Sequence, residues 1–165
     1  MAKITLGGNP AETMGELPAV GSKAPDFKLT ATDMSTKTMN DFAGHTLLLN
    51  IFPSVNTGIC AASVRKFNED AAKADNVKVL CISKDLPFAQ QQFCAAEGIE
   101  DVVMLSDFKT GQFGKDYQVT VVGSAFEGLH SRAVVVVDPN GMVTYTEQVP
   151  EIGQEPDYEA ALSVL

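Results

Sequence analysis

Apolar positions along this chain follow two different periods. Thr46 to Phe52 (TLLLNIF), Val77 to Ser83 and Ala133 to Val137 (AVVVV) are short, nearly unbroken apolar runs, the pattern of strands buried on both faces. Phe27, Leu29 and Ala31 alternate with polar residues, as in a half-buried strand. From Gly58 to about Asp75 the period changes. Val64, Phe67 and Ala71 recur at helical spacing while Arg65, Lys66, Glu69 and Asp70 take the other faces, which predicts an amphipathic helix closed near Asn76. A second helix is expected over Pro87 to Glu97, with proline in its first turn and Gly98 as its stop.

Val102 to Leu105 reads as a short strand and Gly111 to Tyr117 as a short helix. Asp138-Pro139-Asn140-Gly141 is a turn whose proline presets φ and whose glycine permits the exit, so Met142 to Gln148 is expected to pair back antiparallel onto the AVVVV strand. A last amphipathic helix starts near Pro156, with Tyr158, Ala161 and Leu162 on one side. The first 25 residues, punctuated by Gly7, Gly8, Pro10, Gly15, Pro18, Gly21 and Pro25, suit short strands and predict an N-terminal β-hairpin extension. The alternation of helices and strands gives a single domain over 1–165. Its fold class is α/β, a thioredoxin-like sandwich with a mixed central sheet flanked by helices.

Charge narrows the function. A formal net charge of −9 and a pI near 4.6 argue against nucleic acid or an anionic membrane as partner, since both demand clustered positive charge. No apolar run is long enough to span a bilayer or to form a signal-peptide core, so a cytoplasmic protein is expected. In that compartment three cysteines are kept as thiols unless chemistry oxidises them transiently.

The candidate chemistry lies in Pro53-Ser54-Val55-Asn56-Thr57-Gly58-Ile59-Cys60, which sets a cysteine in the first turn of a helix directly after a buried strand. There the helix dipole and unpaired backbone N–H groups favour a thiolate and can receive developing oxygen charge. Pro53, Thr57 and Cys60 match the PxxxTxxC pattern of peroxiredoxins. The longer PSVNTGICAASVRKFN, with CISKDLPFAQQQFC, GLHSRAVVVVD and PDYEAALSVL, resembles their thiol peroxidase subfamily; the similarity runs from about Gly21 to the C-terminus and is weaker before it.

The resemblance implies a thiol-dependent peroxidase that reduces hydrogen peroxide and organic hydroperoxides in antioxidant defence. Cys60 becomes the peroxidatic residue, oxidised to a sulfenic acid; Cys94 becomes the resolving residue, closing an intramolecular disulfide; thioredoxin reduces that bridge. It also implies that Pro53 shields the cysteine from water, that the Thr57 hydroxyl bonds thiolate and peroxide, and that Arg132 stabilises both. A homodimer is implied as well. The chain departs from the subfamily at Asn56, where an aspartate is common, a change that bears on tuning rather than on mechanism. Neither a cofactor nor a metal is expected.

Cys94 falls within the helix that begins near Pro87, and two cysteines on separate helices seldom lie within the roughly 7 Å between Cα atoms that a disulfide tolerates. Bridge formation therefore predicts partial unwinding. Cys81, mid-strand in an apolar run, is expected to be core. His45 and His130 are isolated from any second ligand at metal spacing and are assigned to surface or packing roles. The segment Val119 to Leu129, with Phe126 and Leu129, reads as a peroxide pocket wall, a dimer interface or an ordinary hydrophobic loop. Two rival functions share parts of this pattern. A disulfide oxidoreductase needs CxxC, whereas Thr57 and Ser63 stand three residues either side of Cys60; a redox sensor would react once without rapid turnover.

Overall fold

The computed structural model describes residues 1–72 and 74–165. Two strands, β1 (Lys3–Leu6) and β2 (Asn9–Thr13), form the expected hairpin. Its two-residue turn, Gly7-Gly8, has φ of 58° and 82°, the left-handed region that tight hairpins demand and that glycine enters without cost. Then follow β3 (Lys28–Ala31), β4 (Thr36–Thr38), a 3₁₀ turn (Met39–Phe42), β5 (Thr46–Ile51), α1 (Gly58–Asp70), β6 (Val77–Ser83) and α2 (Pro87–Glu97). The chain finishes with β7 (Val103–Ser106), α3 (Gln112–Asp116), β8 (Val121–Val122), β9 (Ala133–Val137), β10 (Val143–Gln148) and α4 (Tyr158–Leu162).

Seven strands make a mixed sheet in the order β10-β9-β5-β6-β7-β3-β4. β5, β6 and β7 run parallel, while β9 lies antiparallel on the other side of β5. Alternation along the strands sorts the core into two layers. Leu47, Leu49, Ile51, Ala133, Val135 and Val137 face Phe113 and Tyr117 around α3. Leu48, Phe52, Val134 and Val136 face Val64 and Phe67 of α1, Ala161 of α4 and the partly buried Phe93 and Cys94 of α2. Each fully buried branched side chain contributes about 1.5–3 kcal/mol, and every residue of AVVVV is buried. The thioredoxin-like mixed sandwich expected from the sequence is the fold observed.

The bounds of the first helix are corrected, and two stretches that the sequence left unassigned or open gain elements. The first helix ends at Asp70, not near Asp75: the Phe67 carbonyl accepts from both Ala71 and Ala72 N–H at 3.0 Å, which turns the chain out of the helix. Asn76 does not close that helix. It sits at φ 59° beside the start of β6 and donates from Nδ2 to the Gly44 carbonyl at 2.9 Å; residue 73, within the expected extension, lies outside the described residues. The stretch 36–42, unassigned from sequence, adds an edge strand and a 3₁₀ turn, its polar Thr36-Lys37-Thr38 offering no apolar period. The segment Val119 to Leu129 is not simply a loop, because Val121 and Val122 pair with Thr13 and Glu12 and add a third strand to the hairpin.

Candidate active site

The register of β5 assembles the site. Ile51 lies opposite Ala133 on one side and beside Ile82 on the other. The residues just past β5, just before β9 and just past β6 therefore meet at one edge, the carboxyl end of the parallel strands, where open α/β sheets place their ligands. Pro53 leaves β5 there, buried. Thr57, extended at φ −103° and ψ 144°, precedes α1, and Cys60 falls in the first turn, fully buried.

Arg132, directly before β9, is 2% exposed. Its Nε donates to the Ile152 carbonyl at 2.7 Å and its Nη2 to Cys60 Sγ at 3.2 Å. Nη1 is buried and meets no acceptor among the described residues. Burying a guanidinium away from water is expensive without a charge or an acceptor to receive it; here a sulfur and a carbonyl stand in that role, with the Nη1 group left over.

Thr57 does not bond the sulfur in this state. Its hydroxyl turns back to donate to the Ser54 carbonyl at 3.1 Å, the same oxygen that accepts the Thr57 N–H at 3.2 Å, and it caps no helix amide. A hydroxyl that donates to one partner still offers lone pairs to another. Asn56 is exposed; its backbone N–H donates to Ser54 Oγ at 3.1 Å.

Beside this cluster opens a cavity of about 180 Å³. Thr57, Gly58, Ile59 and Arg132 form one wall; Leu6 and Gly7 of the hairpin, Phe126, and Glu151 to Gly153 form the other. Pro53 is not among its lining residues, and of the segment 119–129 only Phe126 is. Three larger cavities, about 270, 500 and 740 Å³, contain no cysteine and none of the expected site residues.

Glu151 explains how the hairpin comes to wall the cavity. Its carboxylate accepts from Gly153 N at 2.6 Å, Gly8 N at 2.8 Å, Gly7 N at 3.3 Å and Thr5 Oγ1 at 2.9 Å. The Gly153 amide, then Gly8 and Thr5, hold the carboxyl down to about 2, so it is ionised at ordinary pH. The Thr5 backbone adds bonds to Pro150 O at 2.7 Å and from Ile152 N at 2.9 Å. Neither Glu151 nor Ile152 was singled out from the sequence, because partners some 145 residues apart leave no local signal.

All three cysteines are free thiols. Cys94, in the third turn of α2, is partly buried against the layer that also holds Cys60 and Cys81, and burial pushes its thiol above the usual cysteine range. Cys81 is fully buried mid-strand; desolvation pushes it up to about 12, and Asn50 Nδ2 donates to its sulfur at 3.8 Å. His130 is also buried, with Nε2 at 2.9 Å from Asp107 Oδ2, a packing role away from the cysteines.

A second group joins this edge and was likewise missed. The Asp85 carboxylate accepts from Ser54 Oγ at 2.7 Å, Val55 N at 2.9 Å and Ser83 Oγ at 2.7 Å, tying the cysteine loop to the end of β6.

Comparison with known proteins places the chain among described families. The Redoxin family model matches residues 19–162. A thiol peroxidase of Mycobacterium tuberculosis (strain ATCC 25618 / H37Rv) is 56% identical over 165 residues, covering 100% of this chain and 99% of that protein. A thiol peroxidase of Corynebacterium glutamicum is 54% identical over the same length, again 100% and 99%. Among solved structures, a peroxiredoxin-like protein from Aquifex aeolicus superposes with a TM-score of 0.93 at 33% identity, covering 99% of this chain and 95% of that one. A family model spanning most of the chain and relatives matched end to end leave one conclusion: this chain belongs to the redoxin family and, within it, to the thiol peroxidases.

Proposed function

We propose that the chain is a thiol-dependent peroxidase in which Cys60 is the peroxidatic residue and Cys94 the resolving one. The observation that carries this reading is the Arg132 Nη2 contact to Cys60 Sγ at 3.2 Å in a buried first helical turn. The Cys60 thiolate attacks one peroxide oxygen; the S–O bond forms as the O–O bond breaks, and the departing oxygen leaves as water or an alcohol once protonated. Sulfur is oxidised to sulfenic acid. Negative charge moves from sulfur toward the leaving oxygen, so donors fixed at that edge bind the transition state better than the ground state. Arg132, with Nη1 unspent, and the first-turn amides of α1 are those donors. Thr57 directs its hydroxyl to the peroxide by exchanging its bond to Ser54, and Pro53 keeps water from the back of the sulfur.

Cys94 then attacks the sulfenic sulfur, forming S–S and releasing water. Both helices are intact while the cysteines are reduced, so closing the bridge requires unwinding, and unwinding also lifts the burial that keeps the Cys94 thiol protonated. A thioredoxin-type dithiol returns both cysteines to thiols. The apolar Leu6, Ile59, Phe126 and Ile152 around the cavity suit small organic hydroperoxides as well as hydrogen peroxide. The whole chain, 1–165, acts as one unit, since the hairpin walls the site. The reading extends to a cytoplasmic homodimer; among the described residues no helix is long and apolar enough to cross a membrane.

The test is NADPH consumption with thioredoxin and thioredoxin reductase, comparing hydrogen peroxide with organic hydroperoxides. Sustained turnover with either is expected; a single stoichiometric reaction without turnover would contradict a peroxidase and leave a sensor.

A further inference from the structure

The Cys60 loop and the Cys94 helix share one fastening point. Asp85 follows β6 and immediately precedes Leu86, the N-cap of α2. Its half-buried carboxylate receives Ser54 Oγ and Val55 N from the loop that delivers Cys60, and Ser83 Oγ from its own strand. Its carbonyl accepts from Ser106 Oγ on β7. Few other ties hold the start of α2. Leu86 supplies no side-chain cap, Leu86 and Phe88 are exposed, and the helix fully buries only Pro87 and Gln90, with Phe93 and Cys94 partly buried further along. Gln90 in turn donates to Ser83 Oγ at 3.2 Å and to the Leu105 carbonyl at 2.9 Å, so it leans on the same Ser83 that serves Asp85. A segment with so few buried contacts opens at low free energy, and the bonds that remain decide how often it does so.

We propose that Asp85 is a positioning residue that couples the two cysteine segments: with its bonds made, the loop presents Cys60 to Arg132 and the start of α2 stays wound; with them broken, both segments loosen together and Cys94 is freed to reach the sulfenic acid. This rests on the assignment of Cys60 and Cys94 above. Asp85 touches neither sulfur nor substrate. It sets the balance between an ordered state that reacts with peroxide and a loosened state that forms the disulfide. A longer-lived ordered state gives a second peroxide more time to oxidise Cys60 beyond sulfenic acid.

Rapid-mixing measurements on Asp85→Asn and Ser54→Ala read the two steps separately. Asp85→Asn keeps the shape of the side chain but removes the charge that receives three donors; Ser54→Ala removes one of those three bonds, together with the Asn56 N–H bond to Ser54 Oγ, and so reports even if the first variant folds poorly. For Asp85→Asn, oxidation of Cys60 by peroxide is expected to slow about tenfold, the usual scale of one lost charge-assisted bond. Disulfide formation should speed up several-fold, and overoxidation should require proportionately more peroxide. Ser54→Ala should move all three quantities the same way by a smaller factor. General destabilisation would slow both steps, so a parallel fall in the two rates, or no change in either, overturns the proposal. A peptide map of oxidised wild type without a Cys60–Cys94 bridge removes the reading beneath it as well, whereas an intact bridge with unchanged rates in both variants removes Asp85 alone.

Discussion

A guanidinium buried beside a neutral thiol is an unfavourable pairing, and it becomes favourable when the sulfur is a thiolate or when a peroxide oxygen takes on charge. That is why Arg132, 2% exposed and bonded to Ile152 O and Cys60 Sγ, carries more of the account than its place before a β-strand would suggest. Arg132→Met should lower the rate of Cys60 with peroxide by roughly 10²–10³-fold, the cost of removing one donor from such a site. Arg132→Lys should restore little, because an ammonium on a flexible stem does not present a planar fork to a carbonyl and a sulfur at once. Pre-steady-state consumption of peroxide distinguishes these outcomes; a Lys variant at the wild-type rate would mean that only charge matters. Cys60→Ser should abolish the reaction. Cys81→Ser should leave turnover intact, since a thiol pushed up to about 12 in a dry strand stays protonated at working pH, and thioredoxin-coupled assays of both variants check this.

At the scale of elements, two segments move or hold. On the proposed mechanism α2 opens for Cys94 to act, so Cys94→Ser is expected to consume one equivalent of peroxide and then stall as sulfenic acid, with overoxidised Cys60 accumulating under excess peroxide; mass spectrometry reads both species. The hairpin must stay. Its docking through Glu151 depends on an ionised carboxylate whose folded-state value, about 2, lies below the usual 4.5. A depressed carboxyl contributes fully above its ordinary value and loses that contribution as pH falls through the folded one. NMR shifts of the Gly7 and Gly8 amides should therefore be constant above about pH 4.5 and change toward pH 2, whereas Glu151→Gln should show them perturbed already at neutral pH and without that titration.

Elements with a strong local period were legible in the sequence for the same reason that they are stable. TLLLNIF and AVVVV must be strands sandwiched between layers, and Pro87 with Gly98, the latter left-handed at φ 67°, brackets α2 as expected. What local reading could not supply was the end of α1, decided by where the Phe67 carbonyl is spent, and β8, two residues that are a strand only because the hairpin offers them an edge.

For the molecule as a whole, the site exists because topology brings remote chain segments to one sheet edge. The motif around Cys60 and the resemblance it carried pointed to Cys60, Thr57, Arg132 and Cys94 together. The Asp85 fastening and the Glu151 clamp stayed hidden, because strand order and register, which set Ile51 against both Ala133 and Ile82, are not written in any local pattern. Register also explains why Cys81 and Cys94 differ: both pack on the same layer, yet one is locked in the central sheet while the other rides on a thinly attached helix. The central claim is that peroxide oxidation at Cys60 ends in a bridge to Cys94, and the most direct measurement is non-reducing peptide mapping by mass spectrometry after one equivalent of peroxide. A Cys60–Cys94 disulfide with Cys81 still a free thiol is the result expected; a bridge that includes Cys81, or sulfenic acid that persists on Cys60 with Cys94 unreacted, would contradict it.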